Sequence, residues 1–186
     1  MVTKTQKPRL SLPNTPAVPR APDTSRTPEP SRLKARILII EARFYEKISD
    51  LLVAGAIAEC EARGVTCERI AVPGALEIPQ VLALAAQSGL IPGGAPSSRF
   101  SGAIALGCVI RGETAHYDVV VENANHWLME VALRHRVPLG NGILTVETEA
   151  QALARAGGGR DGKGGDAARA CLRLVELQRA FEGQGA

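Results

Sequence analysis

The stretch Phe100 to Asp118 reads Phe-Ser-Gly-Ala-Ile-Ala-Leu-Gly-Cys-Val-Ile-Arg-Gly-Glu-Thr-Ala-His-Tyr-Asp, and its reading decides the fold. Phe100 to Leu106 is apolar and about as long as a buried strand, whereas Tyr117 to Arg136 carries the pattern of a long helix. Gly107 to Asp118 is therefore a strand-to-helix turn. In an open parallel α/β sheet, ligands bind in the crevice beyond the carboxyl ends of the strands, where such turns gather. Gly112 lets backbone approach a ligand closely. Glu113, Thr114 and His116 surround the helix start, whose free N–H groups and positive dipole end favour an anion. A histidine, with an ordinary pKa of about 6.5, beside an anion site suits proton transfer at neutral pH.

Working upstream, Arg36 to Glu41 (Arg-Ile-Leu-Ile-Ile-Glu) predicts a buried first strand. It passes through Ala42-Arg43-Phe44-Tyr45 into a helix expected from about Glu46 to Arg63, with Gly64 as its C-terminal stop. Thr66 to Val72 predicts the second strand. Pro73-Gly74-Ala75-Leu76-Glu77-Ile78-Pro79 then forces a turn, and Pro79 suits the first turn of a helix running to about Ser88. Phe44 and Glu77 both fall at strand carboxyl ends. Phe44 offers either ordinary packing or a stacking surface for a flat ligand. Glu77 offers either a helix cap or an acceptor for ligand hydroxyls.

Gly89 to Arg99 reads as a Gly/Pro/Ser loop. Downstream, Val137 to Val146 predicts the fourth strand with its approach, and helices over about Thr148 to Ala156 and Gly165 to Phe181 are joined by the glycine-rich Gly157 to Gly164. Four strands alternating with helices argue a parallel sheet covered on both faces, a three-layer α/β/α sandwich.

At 186 residues the chain holds one domain with a real core. Hydrophobic residues make up 45% but aromatics only 3%, so the core must be built from Ala, Val, Leu and Ile, and base stacking on nucleic acid is disfavoured. The net charge of +3 divides unevenly: residues 1–36 hold eight basic and two acidic residues, +6, leaving −3 for the remainder. Residues 1–31, rich in Pro, Ser, Thr and basic residues, predict an extended or disordered tail ahead of a domain over 32–186. Contact with a polyanion is the tail's functional alternative to simple solvation. Cys60, Cys67, Cys108 and Cys171 show neither a Cys-x-x-Cys pair nor metal-ligand spacing, so free thiols in a reducing cytosol are expected. No apolar run reaches the roughly 18 residues of a membrane span.

Two motifs tempt and fail. Gly157 to Lys163 fits the start of a phosphate-loop pattern, but Gly164 stands where Ser or Thr would hold magnesium, and a helix precedes it instead of a strand. Cys108 and His116 suggest a nucleophile and base, yet Cys108 lies in the apolar end of a strand, which makes it a core cysteine. His126 and His135, inside the long helix, read as packing or surface residues.

Taken together, Arg43-Phe44, Val72 to Pro79, Leu106 to Asp118, and Arg155-Ala156-Gly157 with Lys163-Gly164 resemble the 6,7-dimethyl-8-ribityllumazine synthase family across roughly Arg36 to Phe181. The resemblance implies a flavodoxin-like four-stranded sheet and a transferase of riboflavin biosynthesis. Its reaction condenses 5-amino-6-(D-ribitylamino)uracil with 3,4-dihydroxy-2-butanone 4-phosphate, without metal or organic cofactor. By motif, Phe44 would stack on the pyrimidine, backbone at Ala75 and Leu76 with the Glu77 carboxylate would hold the ribityl chain, and Val109 and Ile110 would line the pyrimidine pocket. Gly112, Glu113 and Thr114 would bind phosphate with Arg155 as counter-charge, His116 would move protons, and Lys163 would support the pyrimidine side. The resemblance further implies a cytoplasmic homopentamer, with Asn141 and Arg155 entering each site from the next copy. Asn141 stands where many relatives carry an aromatic residue, and Leu76 replaces a common Phe. Asn141 is the feature that leaves a non-catalytic flavin- or pyrimidine-binding paralogue as the alternative.

Overall fold

The computed structural model describes residues 32–91 and 98–183; the expected tail over 1–31 and most of the expected loop over 89–99 lie outside the described residues. The elements run β1 (Arg36–Ala42), α1 (Glu46–Ala62), β2 (Thr66–Val72), a 3-10 turn (Ala75–Glu77), α2 (Ile78–Gln87), β3 (Gly102–Ile110), α3 (His116–Arg134), β4 (Leu139–Val146), α4 (Glu149–Ala156), a second 3-10 turn (Gly159–Asp161) and α5 (Lys163–Gly183). All strand pairs are parallel, in the order β2-β1-β3-β4. The chain leaves β1 toward β2 and then returns across it to β3, so a topological switch falls between β1 and β3. Loops diverge at their carboxyl ends there and open a crevice.

Alternation along the central strands builds two cores. Ile37, Ile39, Ile104 and Leu106 face α1, α4 and α5, whereas Leu38, Ile40, Ala103 and Ala105 face α2 and α3. This is the expected three-layer sandwich, with a four-stranded parallel sheet between helices. Phe100 is the one phenylalanine in the core among the described residues, and Phe44 and Phe181 stay exposed. Aliphatic side chains therefore fill the interior.

Local chemistry explains most boundaries. Gly64 ends α1 in the left-handed region at φ 69°, with Val65 N donating to Cys60 O at 2.9 Å, and Thr148 Oγ1 accepts from Gln151 N at 3.2 Å to cap α4. Three of the boundaries that differ from the sequence expectation have a local cause. β3 runs on to Ile110, because register with β4 continues through Val109–Thr145 and Ile110–Val146, so the turn begins at Arg111 instead of Gly107. α3 stops at Arg134 rather than Arg136: Arg136 adopts φ 55° and Val137 N bonds Ala132 O at 2.8 Å, closing the helix before Pro138. α5 begins at Lys163, so Gly164 belongs to its first turn and not to a linker.

That last difference accounts for the apparent phosphate-loop pattern. A Cβ on Gly164 would lie 1.9 Å from the Leu52 carbonyl oxygen of α1, so glycine is there to let α5 meet α1 backbone to backbone. Helix propensity alone would favour alanine by about 1 kcal/mol, but a clash with fixed backbone outweighs it. Gly164→Ala is expected to destabilise the fold by ~1–3 kcal/mol, read as a lower urea midpoint. A midpoint equal to that of the parent would show that the contact is not tight. The same seam holds Glu59, which is buried and receives Arg160 Nη2 at 2.9 Å and Arg169 Nη1 at 3.2 Å.

Candidate functional site

At the switch point a cavity of about 380 Å³ opens between the loops that follow β1, β2 and β3. Phe44 and Tyr45 come from the first loop, Pro73 to Glu77 from the second, Cys108, Val109 and Ile110 from the end of β3, and Gly112 and Thr114 from the third loop. His116, Tyr117 and Val120 from the start of α3 complete the wall. Nine of the thirteen residues expected to touch substrate or move protons meet here: Phe44, Ala75, Leu76, Glu77, Val109, Ile110, Gly112, Thr114 and His116.

Each wall is fixed by its own local structure. Phe44 is 72% exposed and stands edge-on to Tyr45, ring centroids 4.9 Å apart at 69°, so its face is free for a flat ligand. Glu77 Oε2 accepts from Gly74 N at 2.9 Å, so the carboxylate caps its own loop. A carboxylate has about four acceptor sites, so the cap leaves capacity for ligand hydroxyls. The two readings of Glu77 therefore coexist. A Cβ placed on Gly112 would meet nothing within 4 Å. The fold makes no demand for glycine there, which leaves close approach to a ligand as its physical use.

Arg111 braces the third loop. Its backbone N bonds Val146 O at 2.9 Å, its guanidinium reaches Asp118 Oδ1 at 3.2 Å and Glu147 Oε2 at 3.1 Å, and Cζ lies 4.0 Å from the Tyr117 ring centroid. The segment that carries Gly112 and Thr114 is thus tied to both β4 and α3. Thr114 and His116 are exposed at the mouth where α3 starts, and Thr114 Oγ1 accepts from His116 N at 3.4 Å.

Cys108 is buried, with one edge in the cavity wall. Burial pushes its thiol up to about 11. It stays protonated at neutral pH, in keeping with the reading that it is no activated nucleophile.

Glu113, Asn141, Arg155 and Lys163 do not line this cavity. Glu113 is exposed on the loop. Asn141, on β4, donates through Nδ2 to Asn125 Oδ1 at 2.7 Å and accepts from Ile143 N at 3.0 Å, so its amide is held against α3 of its own chain. Arg155 is exposed in the last turn of α4. Lys163 starts α5 and donates to Asp166 Oδ2 at 2.7 Å. That lysine and then Arg169 hold the Asp166 carboxyl below its ordinary range. His126 is exposed with its ring 5.0 Å from that of Trp127, and His135 is half-buried, both away from the cavity.

Sequence reasoning left several wall residues without a role: Tyr45, Pro73, Gly74, Tyr117 and Val120. Pro73 and Gly74 were visible as turn formers and Tyr45 as a neighbour of Phe44. Val120 gave no signal, because one helical turn of β-branched residues does not say which faces a ligand.

The fold and cavity define an open α/β protein with a cavity at its topological switch point, walled by an aromatic ring after β1 and by the start of α3. The 6,7-dimethyl-8-ribityllumazine synthase profile matches residues 34–179. Relatives named 6,7-dimethyl-8-ribityllumazine synthase come from Methylobacterium radiotolerans, 47% identical over 88% of this chain and 94% of its own length, and from Azorhizobium caulinodans, 52% identical over 78% and 87%. Another, from Nitrobacter hamburgensis, is 48% identical over 78% of this chain and 86% of its own. The chain belongs to the 6,7-dimethyl-8-ribityllumazine synthase family.

Proposed function

We propose that this protein is the transferase that joins 5-amino-6-(D-ribitylamino)uracil to 3,4-dihydroxy-2-butanone 4-phosphate, forming 6,7-dimethyl-8-ribityllumazine and releasing phosphate and water in riboflavin biosynthesis. The observation that carries the reading is the single cavity in which Phe44, Glu77, Thr114 and His116 meet from three separate loops. Phe44 stacks on the pyrimidine between Val109 and Ile110, and Ala75, Leu76 and Glu77 hold the ribityl hydroxyls. Gly112, Glu113 and Thr114 receive the phosphate at the start of α3. The pyrimidine amine attacks the ketone carbon and water leaves to give the imine; phosphate is then eliminated, and the ribitylamino nitrogen closes the ring on the carbonyl so formed with loss of a second water. His116 hands a proton to the departing hydroxyl and takes one from carbon as phosphate leaves. Holding two reactants side by side supplies much of the rate, so no strong protein nucleophile is required.

Arg155, Lys163 and Asn141 complete the site from the neighbouring copy of a homopentamer. Their position outside the cavity wall supports this, and so does the face of α2 and α3. That face carries a groove of about 570 Å³ between the two helices, with Val119 and Trp127 exposed in its wall, an apolar surface of the kind that copies bury against one another. Residues 32–186 form the catalytic domain and 1–31 a tail dispensable for turnover. Among the described residues no helix is long and apolar enough to cross a membrane, and all four cysteines are free, in keeping with a cytoplasmic enzyme.

Mixing the protein with both substrates tests the reading: lumazine absorbance and fluorescence should rise in step with free phosphate, and removal of residues 1–31 should leave the rate unchanged. Tight pyrimidine binding with no phosphate release would identify a binder in place of an enzyme.

A further inference from the structure

β1 runs Ile37, Leu38, Ile39, Ile40, all fully buried, and then places a carboxylate, Glu41, at 2% exposure. Among the described residues the buried polar side chains are Glu41, Ser49 and Glu59, and the first two belong to one cluster directly behind the Phe44 turn. Glu41 Oε1 accepts from Arg69 Nε at 2.8 Å and Nη2 at 2.7 Å. Its Oε2 accepts from Arg43 Nη1 at 3.1 Å and Ser49 Oγ at 3.2 Å. Arg43 Nη1 also donates to Asp50 Oδ1 at 2.9 Å. One carboxylate thus joins β2, the first turns of α1 and the turn between β1 and α1.

The backbone of that turn is held on both sides of Phe44. Arg43 N bonds Val72 O at 2.9 Å, and Tyr45 O accepts from Ile48 N at 3.1 Å and Ser49 N at 2.9 Å. Phe44 is a single exposed residue between two anchored neighbours. Glu41, Arg43, Ser49, Asp50 and Arg69 do not line the cavity; they stand behind its wall.

A buried ion pair is a poor means of gaining stability, since desolvation offsets most of the attraction and an apolar residue would pack as well. What the carboxylate adds is direction. A stacking face must be held within roughly 10–20° to be productive, and a ring that is 72% exposed receives little orientation from packing.

We propose that Glu41 is a positioning residue for the pyrimidine-stacking ring, acting through Arg43 to fix the turn that carries Phe44. This rests on the reading above, in which Phe44 contacts the pyrimidine. Glu41→Gln removes the charge that gathers the two guanidinium groups while keeping the side chain's size. It should raise KM for the pyrimidine substrate about tenfold, the scale of a small misplacement at a contact, and move KM for the phosphorylated substrate by less than about twofold. In a Phe44→Ala background the same change should add nothing, because the ring through which it acts is gone.

Arg69→Gln reads the same effect more gently. Its side chain is 45% exposed, and its loss keeps the Glu41–Arg43 contact, so it reports even where Glu41→Gln does not fold. It should raise the pyrimidine KM alone, by a smaller factor. The proposal is overturned if both KM values rise together, if neither moves, or if the Glu41 and Phe44 effects are additive. Failure of the parent protein to make lumazine would instead sink the catalytic reading, and pyrimidine dissociation constants measured by calorimetry would then decide the role of Glu41.

Discussion

His116→Ala should lower kcat for lumazine formation by about 10²- to 10⁴-fold, the range for loss of a positioned acid–base group, while both KM values stay within a few-fold of the parent. The argument is geometric. His116 is the first residue of α3, exposed at the mouth of the cavity, and lies on the same wall as Thr114 and Gly112, to which the proposed function assigns the phosphate. In that reading the imidazole would stand beside the carbon from which phosphate departs. The other polar wall residue with a carboxylate, Glu77, is committed in part to the Gly74 N–H. Cys108 is held protonated by burial. Neither can take over proton transfer, so the loss should be large and confined to turnover. A variant that turns over at the parent rate would remove the proton-shuttle role.

Arg155→Ala should have its effect on the other constant, raising KM for the phosphorylated substrate by roughly 10- to 100-fold, equivalent to the ~1.5–3 kcal/mol of a charged hydrogen bond. Arg155 makes no ion pair among the described residues and is exposed in the last turn of α4, so its guanidinium is uncommitted among those residues. A guanidinium can grip phosphate through two parallel bonds. Arg155→Lys should recover only part of the loss, since an ammonium keeps the charge without the fork. Initial rates at varied concentrations of each substrate separate the two constants. An unchanged KM for the phosphorylated substrate would remove Arg155 from the site.

Much of this was legible before any coordinates. The apolar runs at Arg36 and Phe100 read as strands buried under helices and Thr66 to Val72 as a further strand, and their turns had to meet at one end of the sheet, so Phe44, Glu77 and His116 fell together. The end of β3 was less legible. Gly107 and Gly112 both look like turn residues, and only pairing with β4 shows that the strand absorbs the first of them. The run around Gly164 carried a phosphate-loop pattern that the sequence itself rejected, and it read as a linker instead of the start of α5 for a related reason. Glycines required by helix contact and glycines required by a phosphate loop look alike in one dimension, and the Leu52 carbonyl that distinguishes them is more than 100 residues away. The cluster behind Phe44 was invisible, because Glu41 at the end of an apolar strand reads as a strand boundary until Arg69 and Ser49 are seen to close over it.

The central claim is that each reaction centre joins the cavity of one copy to α4 and α5 of the next. Co-expression of His116→Ala and Arg155→Ala chains tests it directly. When copies mix at random, about a quarter of the seams between neighbours pair an intact His116 with an intact Arg155. With the phosphorylated substrate held well below the parent KM, where loss of Arg155 limits the rate, the account predicts that the mixed assemblies regain lumazine synthesis to about that fraction of the parent rate. Mixed assemblies no more active than the sum of the two variants alone would place the whole site within one chain and contradict it.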